Sequence, residues 1–506
     1  MFRVPTGALA LAFLLAGTPN ATAAVGQPEP AVNWSSCPAY SDEVIRSRGF
    51  PDAQIPKFRA LLSRMECGKV SVPLDYRKPR GRQITIAITR LKAVDRLHRL
   101  GSLALNPGGP GGSGYVMPIE IILMNATNAQ LNDKYDLIGF DPRGVGFSTK
   151  VNCPPPGGKP PAPGPLTKEA AKSIYDSEVA TNKACGKSDP GFLGRLTTMN
   201  MARDLDRVRA ALGERKLDFF GVSWGTWLGA VYRSTFPGNV GRMFLDSVAL
   251  PRFRLDDFED GRAAAAERGF SRLAAWIARH HDTYGFGTSA KEVRTAILAL
   301  GRAYDGTPKQ YTDVAVPADG GLVAMLASQS SPGWPRAAKA LKELRDDTGT
   351  TAPPTVKEFL GGGPQTPPPA DAPEQFNTTT SQAVFCNEDP SRLGFSAAWT
   401  AYQRRLEQNP VTGRAGRFSA GCAGWPLLVQ KVRVHRTAGS LVLSGHRYEA
   451  VSPYEWTTHM RSAIGGKVFT VKDDMHGSVL RECPADLVSY FTTGRIARGC
   501  GGAATP

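Results

Sequence analysis

A serine flanked by glycines, Gly221-Val222-Ser223-Trp224-Gly225, is the feature of this chain with the clearest reactive chemistry. A β-rich run, Leu217 to Phe220, leads into it, and a helical-looking run, Trp227 to Arg233, leads out. Small residues two places to either side suit a sharp turn, where flanking side chains would collide. Such a strand–turn–helix exposes the serine hydroxyl and points a positive helix N-terminus at negative charge forming beside it. A hydroxyl attacks only when a base takes its proton. Of the seven histidines, His476 lies just beyond a late predicted strand, Lys467 to Val471, and before Gly477. His98 precedes a glycine-rich loop, His280 and His281 fall in a helical region, and His459 falls within a predicted helix. His435 and His446 are less easily set aside, but His476 is the expected base. The imidazole then needs a carboxylate to orient it and to balance its positive form. Glu449, after the predicted strand Leu441 to Gly445, is the expected acid, and Asp246, at the end of Val240 to Leu245, is the competitor.

The elements around these residues alternate. Strand Ser102 to Leu105 runs into Asn106-Pro107-Gly108-Gly109-Pro110-Gly111-Gly112-Ser113-Gly114, a loop with almost no side chains. Its backbone N–H groups can approach a ligand closely. It lacks the G-K-[S/T] ending of a phosphate-binding loop and fits a dinucleotide fingerprint poorly. Val70 to Leu74 and Ile84 to Ile88 alternate in polarity and read as an antiparallel pair. Tyr135 to Phe140 reads as a buried strand, and Met199 to Leu212 as a helix ending at Gly213. The alternation predicts an α/β fold with a mostly parallel sheet and helices on both faces. From Phe253 to Phe376 helical segments dominate, including Arg262 to His280 and Ala290 to Tyr304, and a Pro/Gly-rich stretch follows at Ala352 to Pro373. The expected organisation is a leader at 1–23, an N-terminal core part at 24–252, a helical cap at 253–380 and a C-terminal core part at 381–506. Residues 24–66 read as irregular or helical.

The 506 residues are 41% hydrophobic and 21% charged, which gives ample material for a large core. The net charge of +16 is scattered, with no basic block, zinc-finger spacing or RNA-binding aromatic pattern, so a nucleic-acid partner is not expected. Met1-Phe2-Arg3, an apolar run from Gly7 to Gly17 and Ala21-Thr22-Ala23-Ala24 have the form of a secretory signal cleaved after Ala23. No stretch is long and apolar enough to predict a membrane span. All eight cysteines follow that leader, which suits disulfides in an exported chain. Pairing neighbours in sequence is the simplest arrangement: Cys37 with Cys67, Cys153 with Cys185, Cys386 with Cys422, and Cys483 with Cys500. No C-x-x-C occurs, and neither a metal nor a cofactor is expected.

Asn106 to Gly112, Asp141-Pro142-Arg143-Gly144-Val145-Gly146-Phe147-Ser148, Gly221 to Thr226 and the region Leu441 to Gly477, in that order, resemble the secreted bacterial tripeptidyl aminopeptidases. These are α/β-hydrolases of the proline-iminopeptidase-like group with a TAP-like C-terminal region. The resemblance implies an extracellular serine exopeptidase that takes peptide or protein substrates and removes short peptides from free N-termini. It implies Ser223 as nucleophile and His476 as base, with the N–H groups of Gly109 and Trp224 as the oxyanion hole. Where that family has an Asp-Pro-x-Thr-Pro segment, this chain has Glu449-Ala450-Val451-Ser452-Pro453. Counting back from Pro453 puts Glu449 on the family aspartate. An aminopeptidase must also bind an α-ammonium, for which Glu388 and Asp389 are the expected carboxylates. An esterase or lipase of the same fold, and a catalytically silent binding protein, are the alternative readings.

Overall fold

A computed structural model describes residues 31–154, 161–361 and 369–506; the expected leader lies outside the described residues. The described strands form one ten-stranded sheet: β1 Val32–Ser35, β2 Met65–Pro73, β3 Gln83–Leu91, β4 Gly101–Asn106, β5 Tyr135–Phe140, β6 Leu217–Val222, β7 Val240–Asp246, β8 Leu441–His446, β9 Lys467–Val471 and β10 Gly499–Cys500. Their spatial order is β1-β2-β3-β5-β4-β6-β7-β8-β9-β10. The β1, β2, β3 and β5 neighbours pair antiparallel, and from β5 through β4 to β10 every pair is parallel. The sheet is therefore mostly parallel, as the alternation of elements predicts.

Both faces of the sheet are covered, so its strands read as apolar runs rather than alternating ones. Neighbours in β6 show this. Phe219 packs into the core under one layer of helices with Trp227 and Leu228, and Phe220 into the other with Phe244 and Phe469. The chain leaves β4 toward β5 on one side and later returns to β6 on the other. That reversal opens a crevice at the carboxyl ends of β4 and β6, the usual ligand site of such sheets. The glycine-rich loop follows β4 and the Ser223 turn follows β6.

Between β7 and β8 the described residues contain helices and no strand of the sheet. Helices Leu255–Arg279, Ala290–Gly306, Gly320–Ala327 and Trp334–Asp346 bury Phe270, Trp276, Ile297, Leu326, Trp334 and Leu341 in a core of their own. Helical structure continues past residue 380, through Thr378–Glu388 and Phe395–Gln408. Arg405 of the latter helix ties back to Asp256 and Asp260 at the start of the first. Near the N-terminus, where irregular or helical structure was expected, Val32–Ser35 pairs instead as an edge strand along β2. A strand this short and polar carries no periodic signal of its own. Disulfides join Cys37–Cys67, Cys153–Cys185, Cys386–Cys422 and Cys483–Cys500. No helix among the described residues is long and apolar enough to cross a membrane.

Candidate active site

Ser223 takes φ 58° and ψ −127°, a left-handed backbone that a residue with a side chain adopts only under strain. Neighbouring glycines make this possible. A Cβ on Gly221 would lie 2.6 Å from the Gly225 carbonyl oxygen, and one on Gly225 would lie 2.6 Å from Asn106 Oδ1. The Ser223 N–H is held by the Asp246 carbonyl at 2.9 Å, which fixes the turn to the end of β7. Helix Trp224–Thr235 begins immediately after, so its N-terminal dipole is aimed at the serine.

The glycine-rich loop presses on this turn. A Cβ on Gly108 would collide with the Val222 carbonyl oxygen and stand 3.0 Å from Ser223 Cβ and 3.1 Å from the Trp224 nitrogen. Gly108 itself donates to Asn106 Oδ1 at 3.1 Å. The N–H groups of Gly109 and Trp224 have no hydrogen-bond partner among the described residues. Asp141, after β5, anchors the loop by accepting from Ser113 Oγ at 2.6 Å and from the Phe147 N–H at 2.8 Å. Burial pushes its carboxyl up to about 6, against the pull of those donors. Arg143, in the same Asp-Pro-Arg segment, is wholly buried on Asp204. Within that motif it is Asp141 that supports the glycine-rich loop, through Ser113.

His476 follows β9 in a loop that comes up against β6: a Cβ on Gly477 would lie 2.7 Å from Val222 Cγ1. Its Nδ1 hydrogen-bonds Glu449 Oε1. Its Nε2 has no partner among the described residues, and 31% of the side chain is exposed. Glu449 is buried and held from two more sides, by the Ser452 N–H at 2.8 Å on Oε1 and by Ser247 Oγ at 2.9 Å on Oε2. Ser247 Oγ also accepts from the Gly477 N–H at 2.8 Å, so one hydroxyl spans the acid and the histidine loop. Ser247 sits at φ 53°, and nothing in the sequence singled it out.

Asp246 stands elsewhere in the network. It accepts from His446 Nε2 at 2.9 Å, while His446 Nδ1 meets Asp473 Oδ1 at 2.6 Å. All three side chains are fully buried. Burial pulls the imidazole down, but Asp246 and Asp473 outweigh it and raise its pKa to about 10. Asp246 Oδ2 also accepts from the Val479 N–H at 3.2 Å, and Asp473 Oδ2 from Ser478 Oγ at 2.7 Å. The charged cluster thus grips the loop carrying His476 on both sides.

Glu388 and Asp389 end helix Thr378–Glu388 and are both engaged by the protein's own donors. Glu388 accepts from the Thr198 N–H at 2.6 Å and from Trp227 Nε1 at 3.0 Å, and burial raises its pKa. Asp389 accepts from Ser391 Oγ at 2.6 Å and from the Leu255 N–H at 3.3 Å. Both side chains are buried; Asp389 borders a small cleft that Asp256, Glu259, Arg392 and Arg405 also line.

Residues 102–349 match the α/β-hydrolase fold family, and residues 410–500 match the TAP-like protein family. A tripeptidyl aminopeptidase of Streptomyces lividans is 30% identical over 94% of this chain and 87% of its own. The chain belongs to the tripeptidyl aminopeptidase family. Other relatives of this α/β-hydrolase serine peptidase include serine protease Hip1 of Mycobacterium tuberculosis, 26% identical over 93% of this chain and 89% of its own. A carboxylesterase B of M. tuberculosis is 25% identical over 94% of this chain and 91% of its own.

Proposed function

We propose that this serine peptidase releases tripeptides or other short peptides from free N-termini outside the cell, with Ser223, His476 and Glu449 as its triad. The observation that carries the triad is the His476 Nδ1–Glu449 bond beside a free Nε2, on a loop packed against the residue preceding Ser223. Ser223 Oγ attacks the peptide carbonyl and His476 Nε2 takes its proton; Glu449 balances the imidazolium. The unpartnered N–H groups of Gly109 and Trp224 receive the oxyanion, each such donor contributing about 3–4 kcal/mol to the transition state. His476 then gives its proton to the leaving amine, and water hydrolyses the acyl-enzyme by the same route reversed. The longer arm of Glu449 is accommodated by Ser247 and the Ser452 N–H, which fix its carboxylate from both sides.

The helical region 253–380 acts as a cap over the crevice. Of the two expected amine-binding carboxylates, Asp389 is the one on a cleft, with Asp256 and Glu259, and the substrate ammonium is assigned there. The disulfides and the signal-like start fit export. The test uses fluorophosphonate labelling together with peptides whose N-terminus is free or acetylated. Wild type should label at Ser223 and hydrolyse the free peptides. Ser223→Ala should lose both labelling and hydrolysis, and Asp389→Asn should raise KM for free peptides only. Hydrolysis retained by Ser223→Ala would reject the mechanism, and equal rates on acetylated peptides would reject the exopeptidase reading. The carboxylesterase relative favours one second reading, an esterase, which a faster turnover of acyl esters than of matched peptide amides would establish.

A further inference from the structure

One large apolar side chain next to the glycine-rich loop is left uncovered by the fold. Phe376 is 48% exposed, and no other ring or guanidinium among the described residues stacks on it. Its Cε2 lies 3.1 Å from where a Cβ of Gly109 would stand. The backbone beneath the ring is pinned from every side. Phe376 bridges Gly112, the Asn377 N–H donates to the Gly111 carbonyl at 2.9 Å, and the Ser113 N–H donates to the Gln375 carbonyl at 2.9 Å. Asn377 caps the next helix through the Thr380 N–H at 2.7 Å and donates to Asn152 Oδ1 at 2.9 Å. Glu374 accepts from the Gly146 N–H at 3.0 Å and from Lys150 Nζ at 3.1 Å.

A loosely held surface phenylalanine can fold onto its neighbours and shed part of its exposure. Here the backbone is fixed in register with the glycine-rich loop, so the ring is displayed. A carbonyl presented to the Gly109 N–H thus reaches a residue whose Cβ position lies 3.1 Å from the ring. We propose that Phe376 is a specificity-determining residue that packs on the side chain of a substrate residue flanking the scissile bond, and so selects peptides with a large apolar or aromatic side chain there. This rests on the reading of Ser223 as nucleophile and Gly109 as oxyanion donor. Gly109 itself has no room for a side chain, because a Cβ would stand 2.8 Å from the Gly111 and Gly112 nitrogens as well as 3.1 Å from the ring.

Two substrate series test it. In tripeptide p-nitroanilides, the residue whose carbonyl is attacked is Ala or Phe. In tetrapeptide amides that residue stays Ala and the following one is Ala or Phe. Wild type should favour Phe over Ala by about ten-fold in kcat/KM in at least one series, the scale of one well-buried aromatic contact. Phe376→Ala should bring that ratio close to one, Phe376→Trp should preserve it, and both variants should label with fluorophosphonate at the wild-type rate. A ratio unchanged by Phe376→Ala in both series, or no preference in wild type, overturns the proposal while labelling shows the nucleophile intact. Wild type that fails to label at Ser223 removes the underlying reading instead.

Discussion

Two histidine–carboxylate pairs stand close together at the carboxyl ends of β7, β8 and β9, and they use the same groups for opposite ends. His476 meets one carboxylate, keeps Nε2 unpartnered and reaches solvent. His446 meets a carboxylate at each nitrogen and is sealed from water. A group that must take and return a proton needs a free nitrogen and a modest hold on its charge. A group held between two acids stays protonated and serves as a fixed cation. The number of carboxylates at the ring and the freedom of its second nitrogen therefore separate a proposed base from a brace. Distance along the sequence does not.

The sharpest way to break this contrast is to truncate each ring. His476→Ala should lower kcat/KM by about 10⁴–10⁶-fold, the range seen when a triad base is lost, with the melting temperature almost unchanged. His446→Ala should do the reverse: it leaves two buried carboxylates without their cation, at about 3–5 kcal/mol of stability, and the molecules still folded should keep measurable turnover. A variant of His446 that matched His476→Ala in activity and kept full stability would erase the distinction.

The acids come next. Glu449→Ala should reduce kcat by about 10³–10⁴-fold with little change in KM, as expected when the imidazole loses its orienting partner. Asp246→Asn should leave the rate of folded enzyme within a few-fold of wild type and appear in thermal unfolding. Steady-state kinetics run beside a melting curve separate the two, and the opposite pattern would exchange their roles.

The smallest effect is the pH dependence of stability. With His446 raised to about 10 when folded, its contribution is complete below the ordinary histidine pKa of about 6.5 and drains away as pH climbs toward 10. The unfolding free energy from urea titrations should therefore fall between pH 6.5 and 10 by an amount on the order of a few kcal/mol, and His446→Gln should flatten that slope. Asp141, pushed up to about 6, adds a loss of the same sign on rising pH, but it is finished before the histidine window opens. An unchanged slope in His446→Gln would show that the buried ring is not charged.

The residues that meet around Ser223 were legible because each carries a local signal. Gly221 and Gly225 betray a turn without room for side chains, the loop at Gly108 offers bare backbone, and His476 sits just past a strand of regular pattern. Glu449 could be chosen over Asp246 only by its place after β8, since both are single acids at strand ends. Their different partners depend on how neighbouring strand ends come together in the sheet. Ser247 and Asp473 were invisible for the same reason. A serine after an aspartate, or an acid in Asp473-Asp474, has no local mark of its role until the loops meet. The helices between β7 and β8 were readable as helices, but the tie of Arg405 to Asp256 and Asp260 was not, because those residues meet only in three dimensions.

The placement of those helices also governs when activity can arise. Ser223 and the glycine-rich loop are synthesised before the helical region, whereas Glu449 and His476 are among the last parts to leave the ribosome. A nascent chain therefore carries the proposed nucleophile before it has the proposed base. The proposed triad cannot assemble until β8 and β9 have docked beside β7.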